Sequence, residues 1–320
     1  MASRSNLVSL GAAAVKVNPL GIGTWQWGDR IFWGYGRSYS DVDLRAAFDA
    51  TLAAGISFFD TAESYGGGRS EQLLGQFIRS SGQSASVATK FMPYPWRLRR
   101  ASLIDALRRS LDRLDLPRVD LYQIHWPLPP VPIEAWADAL AAAVEAGLAR
   151  AVGVSNFSVG QMRRAHAALA QRGVPLASNQ VQYSLLDRRP EHSELRSACR
   201  DLGVTLIAYS PLAKGFLTGK YTTHRPPIGL RRALWRRAGP GRIQSLVDLL
   251  RRIGERHDGK TPAQVALNWV IARGAVPIPG VKNVKQVREN AGALGWSLTP
   301  DEVAALDAAS DWRHKVVERR

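Results

Sequence analysis

Strand-like runs and helix-like stretches alternate eight times along the 320-residue chain, and this alternation constrains its fold more than any other feature. The short β-branched or apolar runs are LGIGTW (20–25), ISFFDT (56–61), SVATKF (86–91), VDLYQIH (119–125), ARAVGVSN (149–156), ASNQVQY (177–183), VTLIAYSP (204–211) and AVPIPG (275–280). Between them lie stretches of helical period, such as DLRAAFDATLAAG, in which Leu44, Phe48 and Leu52 share one face. PEHSELRSACRDLG reads as another single helix. Most of these stretches end in the Gly that a helix C-terminus favours. Parallel strands need a crossover between them, and a helix both makes the crossover and covers the sheet. Strand then helix, eight times over, is therefore the sequence form of a (β/α)8 barrel. An open doubly wound sheet would stop nearer about six strands, and no GxGxxG opens the first helix.

Three pieces exceed the eight units. VSLGAAAVKV reads as a hairpin that would plug the N-terminal mouth of the barrel. Residues 222–258, between the seventh and eighth strands, hold a strongly basic, loop-like segment, RPPIGLRRALWRRAGPGR (225–242), and a helix, IQSLVDLLRRIGERH. Residues 300–311 form a further helix. No repeat or low-complexity linker divides the chain, so a single domain over residues 1–320 is expected.

Charge raises the question of partners. The formal net charge is +16. Such an excess can draw phosphates, nucleic acid or membranes without dictating a fold. The arginines, however, are spread along helical stretches (Arg108, Arg109, Arg163, Arg164, Arg251, Arg252), without the interleaved aromatics of a single-strand platform or any reader motif. Solvated helix faces are the reading, with no nucleic-acid partner. No apolar run is long enough for a membrane span. The one cysteine, Cys199, cannot form an internal bridge and reads as packing, and no metal site is expected. The first 28 residues carry no acidic side chain, and MASRSNLVSL is similar to the tail of an organellar transit peptide.

In a barrel of this kind the working residues sit at the C-terminal ends of strands, where the loops share one mouth. Asp60, Lys90 and His125 end the second, third and fourth runs, and Tyr65 lies in the following turn, SYGGG. An ammonium beside a phenol favours the phenolate and lowers its pKa toward working pH. Asp60 would hold that ammonium, and His125 could aim a hydrogen bond at the same substrate oxygen. The set suits protonation of a carbonyl oxygen as hydride reaches carbon. Each residue also has a purely structural alternative: a buried Asp60–Lys90 ion pair, a packed imidazole, a loop-ending tyrosine.

Two further segments suit anions. SPLAKGFLTGK (210–220) offers backbone N–H groups, two glycines and two lysines, as pyrophosphate cradles do. GVKNVKQVREN places Lys282 and Gln286 at a helix opening, where the dipole and a cation both favour negative charge.

These residues and motifs, with GIGTWQWG, FDTAESYGGGRSEQLLG, ATKF, LYQIHWP, AVGVSNF, NQVQYSLLDR, YSPLAKGFLTGKY and IPGVKNVKQVRENAGAL, resemble the aldo-keto reductases over nearly the whole chain. GTWQWGDRIFWGYG, KFMPYPWRL and GALGWSLTPDE look nearest to the plant, algal and cyanobacterial branch that includes the plastid pyridoxal reductases. The resemblance implies NADPH-dependent reduction of an aldehyde or ketone, with Asp60, Tyr65, Lys90 and His125 as a catalytic tetrad and Tyr65 as proton donor. It places Gly23, Thr24, Trp25 and Asp60 near the nicotinamide, Ser155, Asn156 and Gln180 on its carboxamide, and Tyr209 stacked on its ring. It gives the pyrophosphate to Ser210, Pro211, Leu212, Gly215, Leu217 and Lys220. Gly280, Lys282, Gln286, Glu289 and Asn290 fall to the adenosine end, Lys282 on the 2′-phosphate. Many members carry Arg where Gln286 stands, so preference for NADPH over NADH leans on Lys282 and an arginine of the 225–242 segment, which would fold over the dinucleotide.

The substrate would sit among Trp25, Tyr65, His125 and Trp126, with Trp27, Trp33, Tyr35, Phe91, Tyr94 and Trp96 crowding the mouth and favouring a planar aldehyde such as pyridoxal. By resemblance the chain works in the plastid stroma, with the cytoplasm as the alternative, as a monomer or weak oligomer. The competing function is an NADPH-binding regulatory subunit with little turnover.

Overall fold

The computed structural model describes residues 7–311. Part of the transit-like segment, residues 1–6, lies outside them. Eight parallel strands form one sheet in sequence order: β3 (Ile22–Gly23), β4 (Phe58–Asp60), β5 (Ser86–Phe91), β6 (Val119–Ile124), β7 (Ala149–Ser155), β8 (Leu176–Gln182), β9 (Thr205–Tyr209) and β10 (Val276–Ile278). The ring closes where Gly21 N–H donates to Pro277 O at 3.0 Å and Gly23 N–H to Pro279 O at 3.1 Å. This (β/α)8 barrel is the expected one, each strand falling inside or within a residue of its predicted run.

Alternation of side chains divides the apolar residues into two cores. Phe58, Ala88, Leu121, Ile207 and Val276 point into the ring, where Leu10, Val15 and Val17 join them. Those last three belong to a hairpin, β1 (Val8–Ser9) paired with β2 (Lys16–Val17), so the hairpin stoppers the barrel as its sequence suggests. Phe59, Val87, Tyr122 and Ile124 point outward and join a larger cluster under the helices.

The helices are α1 (Asp41–Ala53), α2 (Arg69–Ser81), α3 (Ala101–Leu114), α4 (Ile133–Glu145), α5 (Val159–Ala170), α6 (Arg189–His192), α7 (Leu195–Asp201), α8 (Leu230–Ala238), α9 (Pro240–Glu255), α10 (Pro262–Ala272), α11 (Val284–Ala291) and α12 (Pro300–Ser310). Two expectations are corrected. The stretch 190–203 is two short helices, because Glu194 adopts a left-handed φ of 60° that interrupts the helical ladder. The basic segment 225–242 is not all loop: α8 forms within it, anchored by the buried Trp235 against Phe216, ring centroids 5.1 Å apart. Four arginines in nine residues hide that single apolar anchor from a periodicity reading.

Many surface arginines are satisfied by carboxylates: Arg45–Asp49 and Arg164–Glu134 on helix faces, Arg150–Asp120 from β7, and Arg172–Glu145 from the turn after α5. Cys199 is buried, its thiol pushed up to about 12 by burial, which makes it inert packing. Among the described residues no helix is long and apolar enough to cross a membrane.

Candidate active site

A cavity of about 880 Å³ opens at the C-terminal ends of the strands, lined from every βα unit except the loop after β5. Asp60 ends β4 and Lys90 lies next to last in β5, both pointing into the ring and both almost wholly buried. Burying an ion pair is tolerable only when its remaining hydrogen-bonding capacity is filled. Here it is. Lys90 Nζ makes a charge-assisted bond to Asp60 Oδ1 and donates to Thr61 O at 2.8 Å and Tyr65 Oη at 3.2 Å. Asp60 Oδ2 accepts from Gln180 Nε2 at 2.8 Å and Gln123 Nε2 at 3.3 Å.

Tyr65 is presented by a turn of left-handed residues that glycine makes at least cost. Gly66, Gly67 and Gly68 follow it with φ of 57°, 65° and 95°. A side chain at any of these would be held in the left-handed region. The Tyr65 ring meets the His125 ring edge-on, centroids 5.7 Å apart. Burial pushes the Tyr65 hydroxyl up, and the Lys90 charge opposes this without overcoming it. The expectation of a phenol acidified toward neutrality is corrected accordingly: desolvation outweighs the ammonium, and Tyr65 carries its proton at neutral pH. His125 moves the other way, down to about 3, by burial and then by the Lys90 charge, so it is a neutral imidazole. Ser64 Oγ lies 3.5 Å from His125 Nδ1, which leaves Nε2 for the cavity.

Beyond this cluster the wall becomes polar and then cationic. Ser155 Oγ donates to Gln180 O at 2.8 Å, and Tyr209 Oη donates to Asn156 Oδ1 at 3.0 Å. Asn156, Ser210, Ala213, Lys214 and Gly215 all have positive φ. Three of their N–H groups are engaged in the fold, Asn156 with Gln180 O at 2.9 Å, Ala213 with Ser210 O at 2.8 Å and Gly215 with Leu212 O at 2.9 Å, so the tight turns shape the wall and the side-chain cations carry its attraction for an anion. Lys214, Lys220, Arg231, Lys282 and Lys285 line the cavity, and Lys282, Arg231 and Lys220 lie close enough to act on one another. Among the described residues no carboxylate forms an ion pair with Lys282, although Asp29 is near enough to act on it; Lys282 donates to Trp33 O at 2.8 Å and lies over the Tyr39 ring at 4.4 Å. Burial, then the neighbouring Arg231 and Lys220, lower it to about 8.

Nearly every expected residue lines this cavity: Gly23, Trp25, Asp60, Tyr65, His125, Trp126, Ser155, Asn156, Gln180, Tyr209, Ser210, Pro211, Leu212, Gly215, Lys220, Gly280, Lys282, Gln286, Glu289 and Asn290. Three do not. Lys90 stands behind Tyr65. Leu217 is fully buried in the core under the loop. Thr24 is also fully buried: it accepts from Ser70 Oγ at 2.7 Å and donates to Asp60 O at 3.0 Å, bracing the strand that carries Asp60. The aromatic crowd is thinner than expected. Trp27, Tyr35 and Phe91 are buried in the core beneath the helices. Tyr94 and Trp96 stack on each other outside the cavity, Trp96 being 74% exposed.

Sequence reasoning missed Gln26, Gln123 and Lys285, while Arg231 is the arginine of the 225–242 segment that reaches the cavity. Gln123 was within reach, since it stands two residues before His125 on the inward face of β6.

Comparisons with known proteins agree with this fold. A family model described as the aldo/keto reductase family matches residues 19–311. The chloroplastic pyridoxal reductase of Arabidopsis thaliana is 46% identical over 310 residues, covering 92% of this chain and 84% of that protein. Among solved structures, a glycerol dehydrogenase from Gluconobacter oxydans superposes with a TM-score of 0.84 at 28% identity, over 96% of this chain and 95% of that one. An aldo/keto reductase from Klebsiella pneumoniae, solved with NADP and acetate, gives 0.73 at 29% identity, over 92% of each chain. A barrel with these matches is an oxidoreductase. The chain belongs to the aldo/keto reductase family.

Proposed function

We propose that this chain reduces an aldehyde to an alcohol at the expense of NADPH, with Tyr65 as the proton donor. The observation that carries the reading is the Tyr65 hydroxyl 3.2 Å from the Lys90 ammonium, in a cavity whose wall also gathers Lys282, Arg231 and Lys220 closely enough that their mutual repulsion outweighs the nearby Asp29. The residues present fit a dinucleotide carrying an extra phosphate. Gln26 Oε1 and Trp33 Nε1 are buried without a hydrogen-bond partner, and both residues line the cavity, as groups awaiting a polar ligand would. Lys214, Gly215 and Lys220 would hold the pyrophosphate, Lys282 and Arg231 the 2′-phosphate, and Tyr209, Ser155, Asn156 and Gln180 the nicotinamide.

When bound, the reduced nicotinamide supplies a hydride to the carbonyl carbon. Tyr65 gives its proton to the carbonyl oxygen, and the Lys90 ammonium stabilises the phenolate left behind. Asp60 keeps Lys90 charged and fixed. Neutral His125 donates one N–H to the same oxygen and orients the carbonyl. Trp25 and Trp126 flank the opening, which suits a planar, aromatic aldehyde. Pyridoxal is such a compound, and the 46% identity to the Arabidopsis enzyme supports it as the first substrate to try. The same relative supports a plastid location.

The test is NADPH consumption by the purified chain against a panel of aldehydes including pyridoxal. Turnover of pyridoxal well above that of simple aliphatic aldehydes bears the reading out; dinucleotide binding with no oxidation by any aldehyde replaces it with the regulatory alternative.

Two further outcomes follow from the titrating groups. A phosphate beside Lys282 would raise its pKa above the ligand-free value of about 8, so binding takes up a proton and weakens as pH rises through that value. NADPH affinity is expected to fall about tenfold at about pH 9 relative to neutrality, by linkage, and Lys282→Gln to weaken binding at pH 7 and flatten that dependence, as read by fluorescence titration. Because His125 protonates only near about 3, the rate profile for kcat is expected to show no histidine inflection between about pH 5 and 8.

A further inference from the structure

We propose, on the footing of the roles given above to Tyr65 and Lys90, that Glu71, Arg113 and Thr89 form a positioning device that holds the Tyr65 hydroxyl against the Lys90 ammonium. The three sit outside the barrel wall, away from the cavity. Glu71 belongs to the first turn of α2, immediately after the Tyr65 turn, and its side chain is fully buried. Its Oε1 accepts from Thr89 Oγ1 at 2.5 Å and its Oε2 binds Arg113 Nε at 2.7 Å. Arg113, in α3, also donates to Ser110 Oγ at 3.1 Å.

Each partner touches one half of the reacting pair. Thr89 precedes Lys90 in β5 and points outward where Lys90 points inward, so its bond to Glu71 fixes the stretch of strand from which the ammonium projects. Arg113 lies against the turn that carries the phenol. A Cβ built on Gly68 would come within 2.8 Å of Arg113 Cδ and 3.0 Å of its Nε, so the guanidinium stem rests on the backbone of that glycine. On the other flank, a Cβ on Gly66 would lie 3.0 Å from the carbonyl of Gly28.

Three successive glycines give a turn with almost no intrinsic preference, and its conformation is set by what presses on it. Gly28 and Arg113 are the two jaws, and Glu71 locks one of them to β5. The carboxylate is thus the common node between the strand of Lys90 and the turn of Tyr65. Burial pushes the Glu71 carboxyl up, and Arg113 pulls it back. The bridge is costly to maintain for stability alone, since a buried pair of this kind gains little over apolar packing.

The test compares Thr89→Val, which removes one hydroxyl at constant shape, and Arg113→Ala, with Thr89→Ser and Arg113→Lys as conservative rescues and Tyr65→Phe as control. Pyridoxal and benzaldehyde serve as substrates, and kcat per folded molecule, KM and the NADPH dissociation constant are measured. A displaced proton donor costs chemistry rather than binding, so kcat is expected to fall about tenfold or more in Thr89→Val and Arg113→Ala, with KM and dinucleotide affinity unchanged and the rescues recovering most of the rate. Unchanged kcat, or KM and affinity worsening in step with it, overturns the proposal; if Arg113→Ala does not fold, Thr89→Val decides. A Tyr65→Phe variant that still turns over would instead remove the catalytic reading on which the proposal stands.

Discussion

Tyr65→Phe is expected to lose aldehyde reduction by a factor of about 10²–10⁴, the span of a lost general acid, while binding NADPH as tightly as the parent. The phenol sits with its ring against His125 and its hydroxyl on Lys90, and the phenylalanine keeps the ring contact and deletes only the proton. Nothing at the cationic end of the cavity changes, so dinucleotide affinity reports an intact fold. Steady-state rates with pyridoxal, alongside a fluorescence titration of NADPH, check both halves. A variant within a factor of about ten of the parent would show that another group delivers the proton.

The second large effect concerns the buried pair behind that hydroxyl. Lys90→Met leaves the Asp60 carboxylate in the barrel with only the two glutamine amides, Gln180 and Gln123, to satisfy it. Stranding a buried charge costs about 3–5 kcal/mol, and the two amide donors place the expected loss at the lower end, as read by urea denaturation. Activity is expected to vanish as well, since no cation remains to receive the phenolate. The double substitution Asp60→Asn with Lys90→Met removes both charges and is expected to regain most of the stability and none of the activity. Two losses that merely add would mean that the charges do not act as a pair.

Much of this was legible in the residues. Strand runs, the hairpin stopper, the three side chains at strand ends and the tyrosine in the turn beyond one of them follow from a period of two, a period near 3.6 and the rule that barrel loops share a mouth. What escaped has physical reasons. The helix Leu230–Ala238 hides because a single tryptophan holds it while its arginines face outward. Thr24 and Leu217 lie in segments that do border the cavity, yet their side chains turn inward, and such turns leave no periodic trace. The direction of the Tyr65 shift depended on weighing desolvation against an ammonium at 3.2 Å, a balance set by burial and invisible in spacing. Glu71 and Arg113 are 42 positions apart and look like ordinary charges on helix faces.

The cluster of Lys282, Arg231 and Lys220 has a consequence for the life of the protein outside its reaction. Without a guest, like charges are crowded together and one lysine is held short of full protonation. A bound polyanion relieves that crowding, and at a free concentration about a hundred times its dissociation constant it adds about 2.7 kcal/mol to folding stability. Because the oxidised and reduced dinucleotides carry the same phosphates, either one is expected to make the fold harder to open, and resistance to proteolysis is expected to rise with the total dinucleotide present rather than with its redox state.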